Sequence, residues 1–214
     1  LIPFTNRESV KEMASMDRYL DLIIPRGGKG LIETVVSQAR MPVIKHYDGI
    51  CHVFVDEAAD QVMAGEITVD AKTQKPSVCN ALETLLVHEA LAGEFLPTVA
   101  ERLAARQVEL RGCPKTRAIL GDQVVAADEE DWGTEYLDYI LAIKVVSSGA
   151  EAVAHINHYG SQHTDCIVTK DEETAERFLC EVDSACVFHN VSTRFSDGEE
   201  FGFGAEIGIS TDKL

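Results

Sequence analysis

Cys79 stands in Gln-Lys-Pro-Ser-Val-Cys-Asn-Ala-Leu-Glu-Thr, residues 74–84, directly ahead of the apolar run Leu85-Leu86-Val87. A thiol in a polar, loop-like setting at the mouth of a strand is reachable and can be partly ionised. Those are the two conditions for attack on an acyl centre. The alternative is a cysteine that only packs, as most of Cys51, Cys113, Cys166, Cys180 and Cys186 are expected to do. His46, in Pro42-Val43-Ile44-Lys45-His46-Tyr47-Asp48-Gly49, carries a group that gives or takes a proton near neutrality, or else one that merely ends a strand. Arg26-Gly27-Gly28-Lys29-Gly30 reads as a glycine turn leading into a helix. Such a turn offers backbone N–H groups to an anion, though it matches neither standard nucleotide-binding glycine motif and a plain tight turn also accounts for it.

Three further segments carry candidate groups. Glu129-Glu130-Asp131-Trp132-Gly133 is either a recognition loop or a solvated acidic loop anchored by its tryptophan. In 190–198, Arg194 has the fork geometry that pairs with a carboxylate, and Ser192 and Thr193 add hydroxyls. His155, His158 and His163 crowd one stretch, and the first two share a helix face. No carboxylate or cysteine is arranged to complete a zinc site, so no metal is expected.

Apolar runs of strand length alternate with helical-period segments, and these must position the candidates. Strands are expected at 1–4, 20–24, 42–45 and 51–55, with helices at 6–17, capped by Asn6, and 31–40. That βαβαβ order implies a parallel sheet with right-handed crossovers. Beyond it, helices are expected at 56–72, 93–106, 149–159 and from Asp171 to 182. Strands are expected at 85–88, 108–111, 123–126, 139–146, 166–169 and 185–189. From Val191 onward glycine and charge dominate, which reads as a long functional loop.

With 214 residues and 45% hydrophobic content, the chain suits one large or two modest domains. Its net charge of −17 would repel a phosphate backbone, so no nucleic-acid partner is expected. Apolar runs fall far short of the roughly 20 residues that span a bilayer, and no membrane role is expected. Six cysteines without a CxxC pair read as free thiols in a reducing cytoplasm.

The chain resembles the gamma-glutamyl phosphate reductases, a family within the aldehyde dehydrogenase superfamily. The likeness rests on the Cys79 segment, Ile23-Ile24-Pro25-Arg26-Gly27-Gly28 and the loop at 190–198. It rests also on the ordered set Val146, Ala152, Val153, His155, Ile156, His158, Tyr159, Gly160, Ser161, His163, Thr164, Asp165 and Ile167. The resemblance implies an aldehyde dehydrogenase-like α/β fold in a parallel-sheet arrangement. Residues 1–48 would be the second half of an NADP-binding domain, 49–205 an open catalytic domain, and 206–214 the start of a C-terminal segment. Family members carry a long N-terminal part and a C-terminal pairing strand not seen here, so the chain by itself is expected to be poorly active.

The same resemblance implies NADPH-dependent reduction of L-glutamyl 5-phosphate to the 5-semialdehyde in proline biosynthesis, with phosphate released through a Cys79 thioester. His46 would take the place of the water-activating glutamate of hydrolytic relatives and serve as a proton donor. Arg26, Gly27 and Gly28 would lie near the cofactor pyrophosphate or the substrate phosphate. Glu130 would hold the nicotinamide ribose with Trp132 packed nearby, and Asn80, Ser192, Thr193 and Arg194 would bind substrate. The implied partners are a small acyl phosphate, further copies of the full-length protein, and glutamate 5-kinase. The alternatives are another aldehyde dehydrogenase-like acyl-transfer oxidoreductase, the reductase half of a bifunctional kinase–reductase, and a non-catalytic acidic α/β scaffold.

Overall fold

Asn6 accepts a hydrogen bond from the Ser9 N–H at 3.0 Å and opens helix α1 (Arg7–Ala14), the capping role its short amide suits. Helix α2 (Lys29–Gln38) follows the glycine turn, with Gly28 at its N-cap. The computed structural model describes residues 2–4, 6–205 and 209–211. It divides into two units, Leu1–Asp48 with Ile207–Leu214, and Gly49–Glu206. In the smaller unit, the strands expected at 20–24 and 42–45 reduce to one parallel bridge between Ile23 and Val43. Residues 2–4 form no strand, and residue 1 lies outside the described residues. Two short segments without a third neighbour among the described residues cannot sustain a ladder. Ala14, Ile32, Val35 and Met41 supply the buried apolar residues of this unit.

The larger unit is a doubly wound α/β layer structure. Its strands are β1 (Cys51–Val55), β2 (Leu82–His88), β3 (Glu109–Gly112), β4 (Val125–Ala126), β5 (Ile140–Val146), β6 (Thr164–Val168) and β7 (Cys186–His189). They form one seven-stranded sheet in the order β4-β3-β5-β2-β1-β6-β7. Every ladder is parallel. β1 and β6 are buried at all five positions, as parallel strands covered on both faces must be.

Helices α3 (Gln61–Thr73), α4 (Glu89–Ala104) and α5 (Pro114–Leu120) pack on one face, against Val53, Val55, Leu85, Val87 and Ile143. Helices α6 (Gly149–Tyr159) and α7 (Glu172–Glu181) cover the other, against Phe54, Leu86 and Ile167. The period of two along each strand sorts its residues between the two faces. A short helix, α8 (Gly198–Phe201), and a 3₁₀ turn at Thr193–Ser196 occupy part of the stretch expected as loop. Among the described residues no helix is long and apolar enough to cross a membrane.

Several boundaries differ from expectation for identifiable reasons. Helix α3 begins at Gln61 rather than 56, because the Asp60 carboxylate caps Val62 and Met63 at 3.0 and 3.1 Å. Asp56 instead turns inward and accepts the Thr169 hydroxyl at 2.8 Å. Strand β2 starts three residues before the apolar run, because Glu83 and Thr84 are fully buried despite their polarity. Helix α5, which the apolar periodicity passes over, begins with Pro114 at its first turn, where a missing N–H costs nothing.

Candidate active site

The Cys79 turn joins the end of α3 to the start of β2, and it is held from three sides. Gly49 passes directly beneath it: a side-chain carbon at Gly49 would lie 2.6 Å from the Cys79 Cα and overlap its carbonyl oxygen. Glycine is therefore required at that point for close backbone approach. The Gly49 N–H in turn donates to Glu135 Oε1 at 2.8 Å. From β1, Cys51 Sγ donates to the Cys79 carbonyl at 3.3 Å. Cys79 itself is half-buried.

The third hold is Arg194. Its Nη1 donates to Asn80 Oδ1, its Nε donates to Gln74 Oε1 at 2.5 Å, and its Nη2 lies 3.8 Å from carboxylate oxygens of both Asp197 and Glu200. Gln74 and Asn80 are the two ends of the segment that carries Cys79. One guanidinium thus clamps the turn at its base and its tip. Asn80 Nδ2 returns bonds to the Arg194 carbonyl at 3.3 Å and Ser196 Oγ at 3.0 Å. The Thr193 hydroxyl donates to the Asn80 carbonyl at 2.7 Å, and Ser192 Oγ accepts the Arg194 N–H at 3.3 Å. Asn80, Ser192, Thr193 and Arg194 are all buried. The structure brings these four together with Cys79, with their polar groups spent on one another.

His163 is the group that reading the sequence undervalued. It is fully buried at the entrance to β6, and a ring nitrogen lies within 4.8 Å of Cys79 Sγ. Its Nδ1 sits 2.9 Å from Thr164 Oγ1 and 3.8 Å from Cys51 Sγ. The imidazole therefore stands beside both sulfurs. The available signal was a histidine directly before a buried strand, but it was masked by grouping His163 with His155 and His158. Those two belong to α6. His155 lies between Trp132, at 5.5 Å, and His52, at 5.7 Å between ring centroids. Burial, then the nearby His52 and Lys144 charges, push it down to about 2.

His52 is likewise buried, with Nδ1 2.8 Å from Asp165 Oδ1. The other oxygen of Asp165 accepts from Ser184. Lys72 and Glu83 form a fully buried ion pair at 2.7 Å. Burial raises Glu83 to about 7 and lowers Lys72. Glu83 Oε1 also accepts the Leu137 N–H at 3.3 Å.

Glu130 is exposed in the 3₁₀ turn Glu130–Gly133. Trp132 is a core residue beneath that turn. In the smaller unit, His46 Nδ1 lies 3.0 Å from the Ile209 carbonyl. Arg26, Gly27 and Gly28 are exposed before α2, whose N-cap glycine makes no side-chain capping bond. Gly28 also lines a cleft of about 800 Å³ with Arg7, Lys11 and Thr34. At the opposite end of the larger unit's sheet from Cys79, a hollow of about 210 Å³ lies where β1 and β2 finish, between Asp56, His88, Ser148 and Arg177. Open α/β sheets usually bind ligands at those carboxyl ends. Cys79 sits at the amino end of its strand instead.

No family model matches the chain. The parallel sheet has an aldehyde dehydrogenase-like α/β fold. An acetylating aldehyde dehydrogenase from Geobacillus thermoglucosidasius shares that fold, with TM-score 0.70 and 18% identity over 96% of this chain and 53% of the other. Along its whole length the chain is a homologue of gamma-glutamyl phosphate reductases. It is 57% identical over 214 residues to that of Desulfatibacillum aliphaticivorans, covering 100% of this chain and 51% of the relative. The crystal structure of the Thermotoga maritima gamma-glutamyl phosphate reductase matches with TM-score 0.95 and 52% identity, again over 100% of this chain and 51% of that one. The chain spans about half the length of the curated relatives it matches.

Proposed function

We propose that the protein to which this sequence belongs reduces L-glutamyl 5-phosphate to L-glutamate 5-semialdehyde with NADPH, in proline biosynthesis, and that Cys79 is the nucleophile. The observation that carries the proposal is the setting of Cys79: a half-buried thiol on a turn clamped at both ends, with His163 within 4.8 Å. An imidazolium at that range favours the thiolate. The thiolate attacks the acyl carbon, phosphate leaves, and a thioester links the glutamyl group to Cys79 Sγ. NADPH, when bound, supplies the hydride that reduces this thioester. The backbone N–H groups of the turn face the developing oxyanion.

On this reading the open first turn of α2, with Gly28, Arg7 and Lys11 along one cleft, suits the anionic pyrophosphate of the cofactor. Arg26 and Gly27 lie on its approach, Glu130 offers a carboxylate to the ribose, and Trp132 supports that turn from the core. His46 protonates the departing phosphate. Asn80, Ser192, Thr193 and Arg194 act chiefly by holding the Cys79 turn in place. The whole protein works on a small acyl phosphate in the cytoplasm, as a homo-oligomer alongside glutamate 5-kinase.

The test is the alkylation rate of each cysteine by iodoacetamide against pH, read by peptide mass mapping. Cys79 is expected to react fastest, with a rate midpoint well below the roughly 8.5 of a free thiol. A Cys79 rate no different from that of exposed Cys180 sinks the assignment and favours a non-catalytic scaffold.

A further inference from the structure

Cys51 and Cys79 lie against one another through a contact that the reductase chemistry does not use. Cys51 Sγ is 3.3 Å from the Cys79 carbonyl oxygen, and the chain at Gly49 presses on the Cys79 Cα. Both sulfurs lie near the His163 imidazole: Cys51 Sγ is 3.8 Å from Nδ1, and Cys79 Sγ is within 4.8 Å of a ring nitrogen. Cys51 is fully buried and Cys79 is half-buried. Of this pair, the sulfur an oxidant reaches first is therefore that of Cys79. Burial, then the Asp165 and Cys79 charges, hold the Cys51 thiol neutral, which keeps it from being oxidised first. The other buried thiols are engaged elsewhere, Cys113 with Thr116 and Cys166 with the Ile167 carbonyl.

We propose that Cys51 is a resolving thiol for Cys79, so that hydrogen peroxide converts the pair to a reversible Cys51–Cys79 disulfide instead of destroying the nucleophile. The inference rests on the reading of Cys79 as a reactive thiolate. In the first step the Cys79 thiolate displaces hydroxide from hydrogen peroxide: the O–O bond breaks, an S–O bond forms, sulfur loses two electrons to give the sulfenic acid, and the hydroxide leaves as water with the proton that the thiol had given to His163. In the second, His163 takes the Cys51 proton, Cys51 sulfur attacks Cys79 sulfur, and the S–O bond breaks. The departing hydroxide regains the proton from the imidazolium as water. The sum is two thiols and one hydrogen peroxide giving one disulfide and two waters. Without a resolving thiol, a sulfenic acid proceeds to the sulfinic and sulfonic acids, which ordinary reductants do not reverse. Forming the disulfide requires the Cys79 side chain to turn toward Cys51 in β1. That motion is confined to the turn, since Cys51 is fixed in the sheet.

The experiment treats the 214-residue chain with hydrogen peroxide, blocks remaining thiols with iodoacetamide, and maps peptides without reduction. The expected product is the Cys51 peptide joined to the Cys79 peptide, and dithiothreitol should restore Cys79 labelling. In Cys51→Ser, Cys79 should instead reach the sulfinic and sulfonic acids, and the fraction recovered by dithiothreitol should fall by about tenfold. If that variant does not fold, the linked peptide of the unmodified chain decides alone. A Cys79 that is overoxidised at the same rate in both proteins, or is linked to another cysteine, overturns the proposal. Iodoacetamide alone, without peroxide, separates the two readings. Fast Cys79 alkylation without a Cys51 link overturns only the resolving role, whereas slow alkylation with no link removes the nucleophile as well.

Discussion

Arg194 shows how a residue's chemistry depends on where its donors go. A guanidinium on a loop suggests a partner for a substrate carboxylate, yet this one is buried and shared among Gln74, Asn80, Asp197 and Glu200. On the proposed reading it positions the Cys79 turn. Arg194→Ala should cost about 1–3 kcal/mol by urea unfolding, since buried acceptors lose their donors, and it should raise the pH midpoint of Cys79 alkylation. Arg194→Lys keeps the charge but cannot bridge both ends of the turn, so it should rescue neither effect. Unchanged unfolding and an unchanged midpoint in Arg194→Ala would return Arg194 to the substrate-binding role. His163→Asn tests the neighbouring imidazole. The Cys79 midpoint should climb toward the roughly 8.5 of a free thiol, with stability measured alongside to separate local from global effects. A midpoint that does not move means His163 leaves the thiolate unsupported.

Two elements carry the Cys79 turn, and a buried ion pair ties them together. Lys72 lies in the last turn of α3 and Glu83 is the second residue of β2, so their 2.7 Å contact spans the base of the turn. Such a pair adds little over an apolar one, but breaking it leaves one charge stranded in the core. Glu83→Ala should therefore destabilise by about 3–5 kcal/mol. The double variant Lys72→Met with Glu83→Leu should recover most of that loss, as urea unfolding of the full mutant cycle would show. Single-variant losses under about 1 kcal/mol would mean that water reaches the pair, as at a surface salt bridge. At this scale the sequence was read unevenly. The boundaries of β1 and α6 were legible throughout, because an apolar run broken only by His52 and a helical period are local signals. The start of β2 was not, because Glu83 looks like a surface residue until Lys72, eleven positions earlier in the chain, is seen to neutralise it.

Over the whole chain, charge sets the conditions of stability. A net charge of −17 disfavours any compact state through self-repulsion, so the melting temperature should rise on adding salt to about 0.15 M, where screening acts within roughly 8 Å. The pH dependence has two signs. Glu83 is raised from 4.5 to about 7, so its contribution is fully present below 4.5 and is lost as pH rises through about 7. Hydrogen bonds from Lys170 and the Met63 N–H hold Asp60 below its ordinary value of 3.8. Burial would raise Asp131, but bonds from Arg111 and Tyr136 prevail and lower it. These two stabilise above 3.8 and lose that contribution as pH falls through their folded values. Lys72, lowered by burial, contributes above 10.5 and loses that contribution as pH falls through its folded value. Melting temperature should therefore peak between 3.8 and 4.5 and fall as pH rises toward about 7. A maximum at alkaline pH would contradict both the repulsion argument and the Glu83 assignment.

Sequence by itself determined the alternation of strands and helices, the parallel α/β class, the caps at Asn6 and Asp171, and the thiol at Cys79 as the group worth pursuing. Those follow from periodicity and from side chains acting on their own backbone, which operate within a few residues. Tertiary structure alone decided which groups surround that thiol. Arg194 reaches Gln74 across 120 positions, His163 reaches Cys51 across 112, and Asp165 reaches His52 across 113. Burial removes water from these groups and obliges each to find a partner brought near by sheet order rather than by chain order. No local pattern records that choice.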